Sequence, residues 1–226
     1  MNKINTQIDM LSRVATALGD LLPEVVFIGG CTTGLFLTDA LTKEHVRYTD
    51  DVDLIVHVGS YIELNKLIEN LRRKGFRESM EEDVICRLML GQLKVDFMPD
   101  DEKVLGFSNR WYRDAMKTAR DYTITEQLTI KLVEPVFFVA TKLEAYLGRG
   151  HGDVLVSHDI EDLINIFNGR EEIVEEIQAA NGELRQFISH ELKKLLDDSN
   201  FEYVIQNAAG DSKREKLVFD RIEACL

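Results

Sequence analysis

The chain is predicted to fold as an α/β (α+β) protein: a small mixed β-sheet core with flanking helices, then a helical C-terminal half. Three observations predict this. Val25–Ile28 and the run from Val52 to Val58 are short, β-branched and apolar, with turn residues on their flanks, as buried strands are. Val84–Leu90 and Leu93–Met98 flank Gly91-Gln92, the pattern of a hairpin closed by a two-residue turn that opens on glycine. From Glu134 onward apolar residues recur at helical spacing, and Pro135 stands where a first helical turn tolerates it. That change of pattern sets a domain boundary, with a sheet-bearing segment over residues 1–133 and a helical one over 134–226.

At 226 residues the chain is long enough for a sizeable core, and its 45% apolar and 30% charged content is that of a globular protein. A net charge of −13 argues against a generally basic nucleic-acid-binding surface but leaves room for a local basic groove. Cys31, Cys86 and Cys225 are widely separated and odd in number, which fits a reducing compartment and forms neither a disulfide framework nor a zinc pattern. Cys31, just after two glycines, reads as a small buried side chain rather than a nucleophile. No apolar run reaches the roughly 18 residues of a membrane span, and the polar start Met1–Asp9 is not a signal peptide. The expected location is the cytoplasm, with no membrane partner.

Ile4, Ile8, Leu11, Ala15, Leu18 and Leu22 mark an amphipathic helix that Pro23 ends. Gly29-Gly30 follows the first strand and opens a helix from Cys31 to Leu41, where free N–H groups and a close backbone approach suit a phosphate. Ser60 is the N-cap of a helix running to Lys74. Between Asp100 and Arg120, Arg110, Arg113, Lys117 and Arg120 recur at three or four residues; a solvated helix face is the ordinary explanation and a nucleic-acid contact the functional one. Tyr122–Val133 alternates as one or two strands. A long helix from Glu134-Pro135 to Arg149 precedes the glycine-rich loop Gly148–Asp153. Ser157 then caps the helix HDIEDLINIF, and Glu171–Ala180, Gly182–Leu196 and Ser212 to the end are helical.

The chemistry gathers at the head of the second strand. Side chains alternate along a strand, so Asp51 and Asp53 share a face and Asp50 does not. Two carboxylates on one face repel unless a cation sits between them, and a hard divalent ion with oxygen ligands is the natural partner. Asp96 lies inside the apolar strand LKVDFM. A paired structural aspartate is one reading; a third metal ligand beside Asp51 and Asp53 is the other, and it gives the burial a reason. Lys142 and Arg149 stand two helical turns apart on one side of their helix, placed either at the surface or facing a polyphosphate.

Gly29-Gly30, a helix, Asp51-x-Asp53 and then Asp96 on a later strand is an order that resembles the DNA polymerase β-like nucleotidyltransferase superfamily. More closely, the chain is similar to the AbiEii-type nucleotidyltransferases, whose members include toxin components. The matching segments are FIGG, RYTDDVDLIV, KVDFMP and ATKLEAYLGRGHGDVLVSHDIEDLI, which span Phe27 to about Gly169. The resemblance implies that residues 1–133 form the catalytic core and that 134–226 contribute to the active site. It implies Mg²⁺, or Mn²⁺ in its place, on Asp51 and Asp53, assisted by Asp96, which would alternatively accept the attacking hydroxyl's proton. Gly29, Gly30, Arg47, Thr49, Lys142 and Arg149 would serve the nucleotide, with Lys142 neutralising phosphate charge. Asp159 and Asp162 both fit the later acidic motif. Two features depart from the family's pattern: Gly29-Gly30 stands where Gly-Ser is common, and residues 38–46 read as an inserted loop.

The implied activity is transfer of an NMP from an NTP to a hydroxyl, with pyrophosphate leaving. The acceptor classes are RNA such as tRNA, a protein or a small molecule, and a toxin relative would have a cognate antitoxin-like partner. Two rivals stand beside it. One is a nucleotide-sensing or antitoxin-partner module without catalysis. The other is an aminoglycoside-type small-molecule nucleotidyltransferase, which suits an acidic surface because cationic substrates prefer acidic pockets.

Overall fold

The computed structural model describes residues 3–79, 85–149 and 152–226. Val84, with which the predicted hairpin opens, and Gly150 and His151 of the predicted loop lie outside them. In chain order the strands are β1 (Val25–Ile28), β2 (Asp51–Val56), β3 (Arg77–Glu78), β4 (Arg87–Leu90), β5 (Leu93–Pro99), β6 (Arg120–Thr125) and β7 (Leu128–Leu132). The helices are α1 (Lys3–Leu18), α2 (Thr33–Phe36), α3 (Ala40–His45), α4 (Tyr61–Arg73), α5 (Glu102–Leu105) and α6 (Tyr112–Thr118), then α7 (Pro135–Gly148), α8 (His158–Gly169), α9 (Ile173–Ala179), α10 (Gly182–Leu196), α11 (Ser199–Ala209) and α12 (Ser212–Glu223). The chain groups into two compact units, residues 1–32 with 47–134, and residues 33–46 with 135–226.

The first unit carries a seven-stranded mixed sheet of order β3-β4-β5-β2-β1-β7-β6. β1 runs antiparallel to β2 and parallel to β7, and β2 runs parallel to β5 in register, Asp53 opposite Asp96 and Leu54 opposite Phe97. Val52, Leu54, Val95 and Phe97 are buried on one face of that central pair. Asp51, Asp53, Lys94 and Asp96, of opposite phase, fall on the other. Helix α1 packs on β2 and β7 through Leu11, Val14, Ala15 and Leu18, while Ile8 and Leu22 of the predicted stripe are only half-buried. Phe76, just past α4, meets Phe97 edge-on at 5.5 Å. The predicted capping of α4 is present, Ser60 Oγ accepting from the Glu63 amide.

The second unit is built on α7 and α8. From Val136 to Leu143 α7 is buried all round, as is most of α8. The expected helix from Cys31 to Leu41 is instead a 3₁₀ turn over Gly30–Thr32 followed by two short helices, α2 and α3, and the expected loop 38–46 is partly helical. Asp39 explains the break: its carboxylate caps α3, accepting from the Thr42 amide at 2.7 Å, while Thr38 and Asp39 donate their own amides to the Gly169 carbonyl at 2.8 and 2.9 Å. Helix α11 has no counterpart in the sequence reading. Asp198 caps it at the Asn200 amide, and Phe201, Ile205 and Ala209 form its buried face. Among the described residues no helix is long and apolar enough to cross a membrane.

Asp39 also makes a pH-dependent tie. The Thr42 hydroxyl, the Thr42 amide and then the Arg214 guanidinium hold its carboxyl down to about 2, against an ordinary value of 3.8. A depressed folded value contributes stability above the unfolded value, and the contribution is lost as pH falls through the folded one. The difference in urea stability between the wild type and Asp39→Asn is therefore expected to be constant above about pH 5 and to shrink from about pH 4 towards pH 2. A gap that stays constant across that window would show that the carboxylate charge does not stabilise α3.

Candidate functional site

The sheet register assembles the site in one row. Ile28 on β1 faces Asp53 on β2, Asp53 faces Asp96 on β5, and Asp96 faces Arg87 on β4. Directly opposed residues lie about 5 Å apart on the same face, so three neighbouring strands deliver two carboxylates and a guanidinium together. Asp51, one pleat earlier on β2, joins them. Ligand atoms of Asp51, Asp53 and Asp96 lie within 4.8 Å of one another, with Asp96 buried and the other two half-buried. Three hard oxygen donors, two of them half-buried, suit a hard divalent ion rather than a soft one. Asp50 stays outside the group and pairs with Lys94 at 3.2 Å.

The surrounding residues fix the triad. The buried Thr49 donates its hydroxyl to Asp51 Oδ1. Gly29 has φ +84°, and a Cβ built there would stand 1.8 Å from Asp53 Oδ2. The glycine is thus demanded by the Asp53 carboxylate as well as by its own backbone angle. The Gly29 carbonyl accepts from the Thr32 amide at 3.0 Å and hydroxyl at 2.8 Å, closing the turn that holds Gly30. Cys31 is buried beside it. Burial first, and then the charges of Asp53 and Asp51, push its thiol well above the usual range, with Arg47 pulling the other way. Burial and those charges disfavour the thiolate that a nucleophile needs. The Arg47 carbonyl accepts from Gln7 Nε2 at 3.1 Å.

Asp96 is paired as well as clustered. Arg87 Nε donates to Asp96 Oδ1 at 2.7 Å and Arg87 Nη2 to Oδ2 at 2.8 Å, a bidentate bridge, and Nη2 lies 4.0 Å from Asp51 Oδ2. The paired reading of Asp96 is therefore seen, and its place in the cluster leaves it able to serve as a third ligand. Arg87 was missed, yet its signal was present. A two-residue turn at Gly91-Gln92 pairs Leu90 with Leu93, and counting outward sets Arg87 against Asp96.

The other predicted residues gather in the helical unit. Lys142 Nζ on α7 lies 2.7 Å from Asp162 Oδ2 and 3.1 Å from Asp159 Oδ1, both on α8. Arg149 reaches Asp159 Oδ2 at 3.3 Å from an exposed position. Asp159 and Asp162 thus share one lysine. Lys142 also sits 5.6 Å over the Phe138 ring. Elsewhere, the basic residues after Asp100 meet local partners. Arg113 pairs with Asp101 at 2.9 Å, Lys117 with Asp114 at 2.7 Å, and Arg120, on β6 rather than a helix, with Glu134. Trp111, just before α6, is buried.

No protein-family model and no curated protein sequence matches the chain. Among solved structures, it is similar to a crystal structure described as that of a "putative nucleotidyltransferase from H. pylori". The TM-score is 0.51 and the identity 14%, covering 100% of this chain and 94% of that one. At that identity the likeness is one of fold: this chain has a nucleotidyltransferase fold, a mixed-sheet core with a helical half, and it carries an aspartate triad able to bind a divalent metal.

Proposed function

We propose that the chain is a divalent-metal-dependent nucleotidyltransferase that moves an NMP from an NTP to a hydroxyl, of the AbiEii type its motifs resemble. The observation that carries the reading is the parallel register of β2 and β5, which sets Asp53 against Asp96 with Asp51 alongside. Metal bound by these carboxylates supplies charge neutralisation for the triphosphate and for the leaving pyrophosphate. The chain's own residues do the positioning. Thr49 fixes one Asp51 oxygen, Gly29 leaves room for Asp53, and the Gly29–Thr32 turn keeps backbone close to the carboxylates. In the transfer, the acceptor oxygen bonds to the α-phosphorus, the bond to the β-phosphate bridge breaks, and the hydroxyl proton passes to solvent. Both Asp96 oxygens already accept from Arg87, which favours Asp96 as an orienting carboxylate over a proton acceptor.

The test is incubation with α-labelled NTPs and Mg²⁺ or Mn²⁺ against cell RNA, cell protein and an aminoglycoside panel. Label is expected in one acceptor class, which identifies it. RNA labelling would support the toxin-type reading, and aminoglycoside labelling the small-molecule one. Asp51→Ala is expected to keep the fold, because it removes one of three mutually repelling carboxylates, and to lower transfer by about a hundredfold or more. Tight NTP binding without transfer would favour the sensing module. Absence of both labelling and calorimetric NTP–Mg²⁺ binding would overturn the reading.

A further inference from the structure

We propose that Arg87 is a built-in counter-cation of the carboxylate triad, a positioning residue that orients Asp96 and lowers the affinity of the triad for divalent metal. The inference rests on the metal reading above and adds a residue and a regulation to it. Three carboxylates with ligand atoms within 4.8 Å of one another repel when ionised, and that repulsion would splay them without a cation. Arg87 provides one from inside the protein. Its side chain is 16% exposed and that of Asp96 11%, so the bridge is sheltered from screening solvent. The fork engages both Asp96 oxygens and leans within 4.0 Å of Asp51, spanning two of the three members.

A divalent ion entering the same triad meets this guanidinium. A carboxylate offers about four lone-pair sites, so Asp96 can serve both cations only if they share its oxygens. Their mutual repulsion then acts across a short, partly dry distance. The triad thus has a held form with Arg87 bridging both Asp96 oxygens and a metal form in which that bridge is weakened.

The experiment is Mn²⁺ titration of the metal-free full chain by calorimetry and electron paramagnetic resonance, on the wild type, Arg87→Gln and Arg87→Lys. Arg87→Gln is expected to bind Mn²⁺ about tenfold tighter, and Arg87→Lys, which keeps the charge, within about threefold of the wild type. Arg87→Gln that is folded by circular dichroism yet binds Mn²⁺ no tighter than the wild type overturns the inference while leaving the metal reading in place. If all three chains fail to bind Mn²⁺, the metal reading falls and the inference with it. Should Arg87→Gln not fold, ¹⁵N spectra of the wild-type arginine side chains decide: the Arg87 Nε–H resonance is expected to shift as Mg²⁺ saturates the site, and an unmoved resonance overturns the inference.

Discussion

Gly29→Ala is expected to destabilise the protein by about 2–4 kcal/mol and to remove divalent-metal binding. Two effects combine at this position. The backbone at φ +84° lies where an L-residue is strained, by about 1–2 kcal/mol. The new methyl group would also stand 1.8, 2.6 and 2.8 Å from Asp53 Oδ2, Cγ and Cβ, distances no real Cβ keeps. Asp53 is on a central strand with neighbours on both sides, so its backbone cannot retreat, and the carboxylate must leave its place beside Asp51 and Asp96. Urea unfolding and Mn²⁺ titration read the two consequences. A second substitution separates the causes. On an Asp53→Gly background all three clashing atoms are gone, and Gly29→Ala should then lower stability only by the strain of about 1–2 kcal/mol. If the effects of Gly29→Ala and Asp53→Gly simply add, the collision with Asp53 is not what makes residue 29 a glycine.

That double role of Gly29 shows where the sequence stopped speaking. The glycine pair after a strand was legible as a close-approach turn, but the Asp53 carboxylate, for which Gly29 leaves room, was not. The reason is register. β1 and β2 are antiparallel neighbours separated by a segment whose length conceals which residues oppose each other. Local features were readable because their causes are local. Among them are the Ser60 and Ser157 caps, the β4–β5 hairpin set by its two-residue turn, and the shared face of Asp51 and Asp53. The pairing of β2 with β5, more than forty residues on, follows from no spacing in the chain; the acidic character of Asp96 inside an apolar strand hinted at it. The same limit hid α2 and α3. Their boundary is drawn by the Gly169 carbonyl, which accepts from Thr38 and Asp39 some 130 residues earlier in the chain. Arg87 differs, because its partner followed from the turn and was overlooked only as a charge within a strand.

Lys142→Met is expected to lower stability by about 3–5 kcal/mol, the effect of breaking a buried ion pair from one side. Asp162 is fully buried, and Lys142 Nζ is 2.7 Å from it and 3.1 Å from Asp159. Methionine matches the stem of lysine but takes the ammonium away from the Phe138 ring as well as from the two carboxylates, so the change removes the charge from all three contacts. With the lysine charge gone, two carboxylates remain on α8 against Arg149, whose side chain is 74% exposed and therefore well screened. Asp162→Asn alone is milder, since it leaves Lys142 facing one carboxylate. In the double variant Lys142→Met/Asp162→Asn the local charge balances again, and recovery of about 1–3 kcal/mol relative to Lys142→Met is expected in urea unfolding. That design also decides what the lysine does. Activity lost in Lys142→Met alone says little, because folding is lost with it. If the double variant folds as well as Asp162→Asn but transfers no nucleotide where Asp162→Asn does, the ammonium group takes part in the chemistry, as the resemblance implies. If transfer returns with stability, Lys142 serves only to hold α7 against α8.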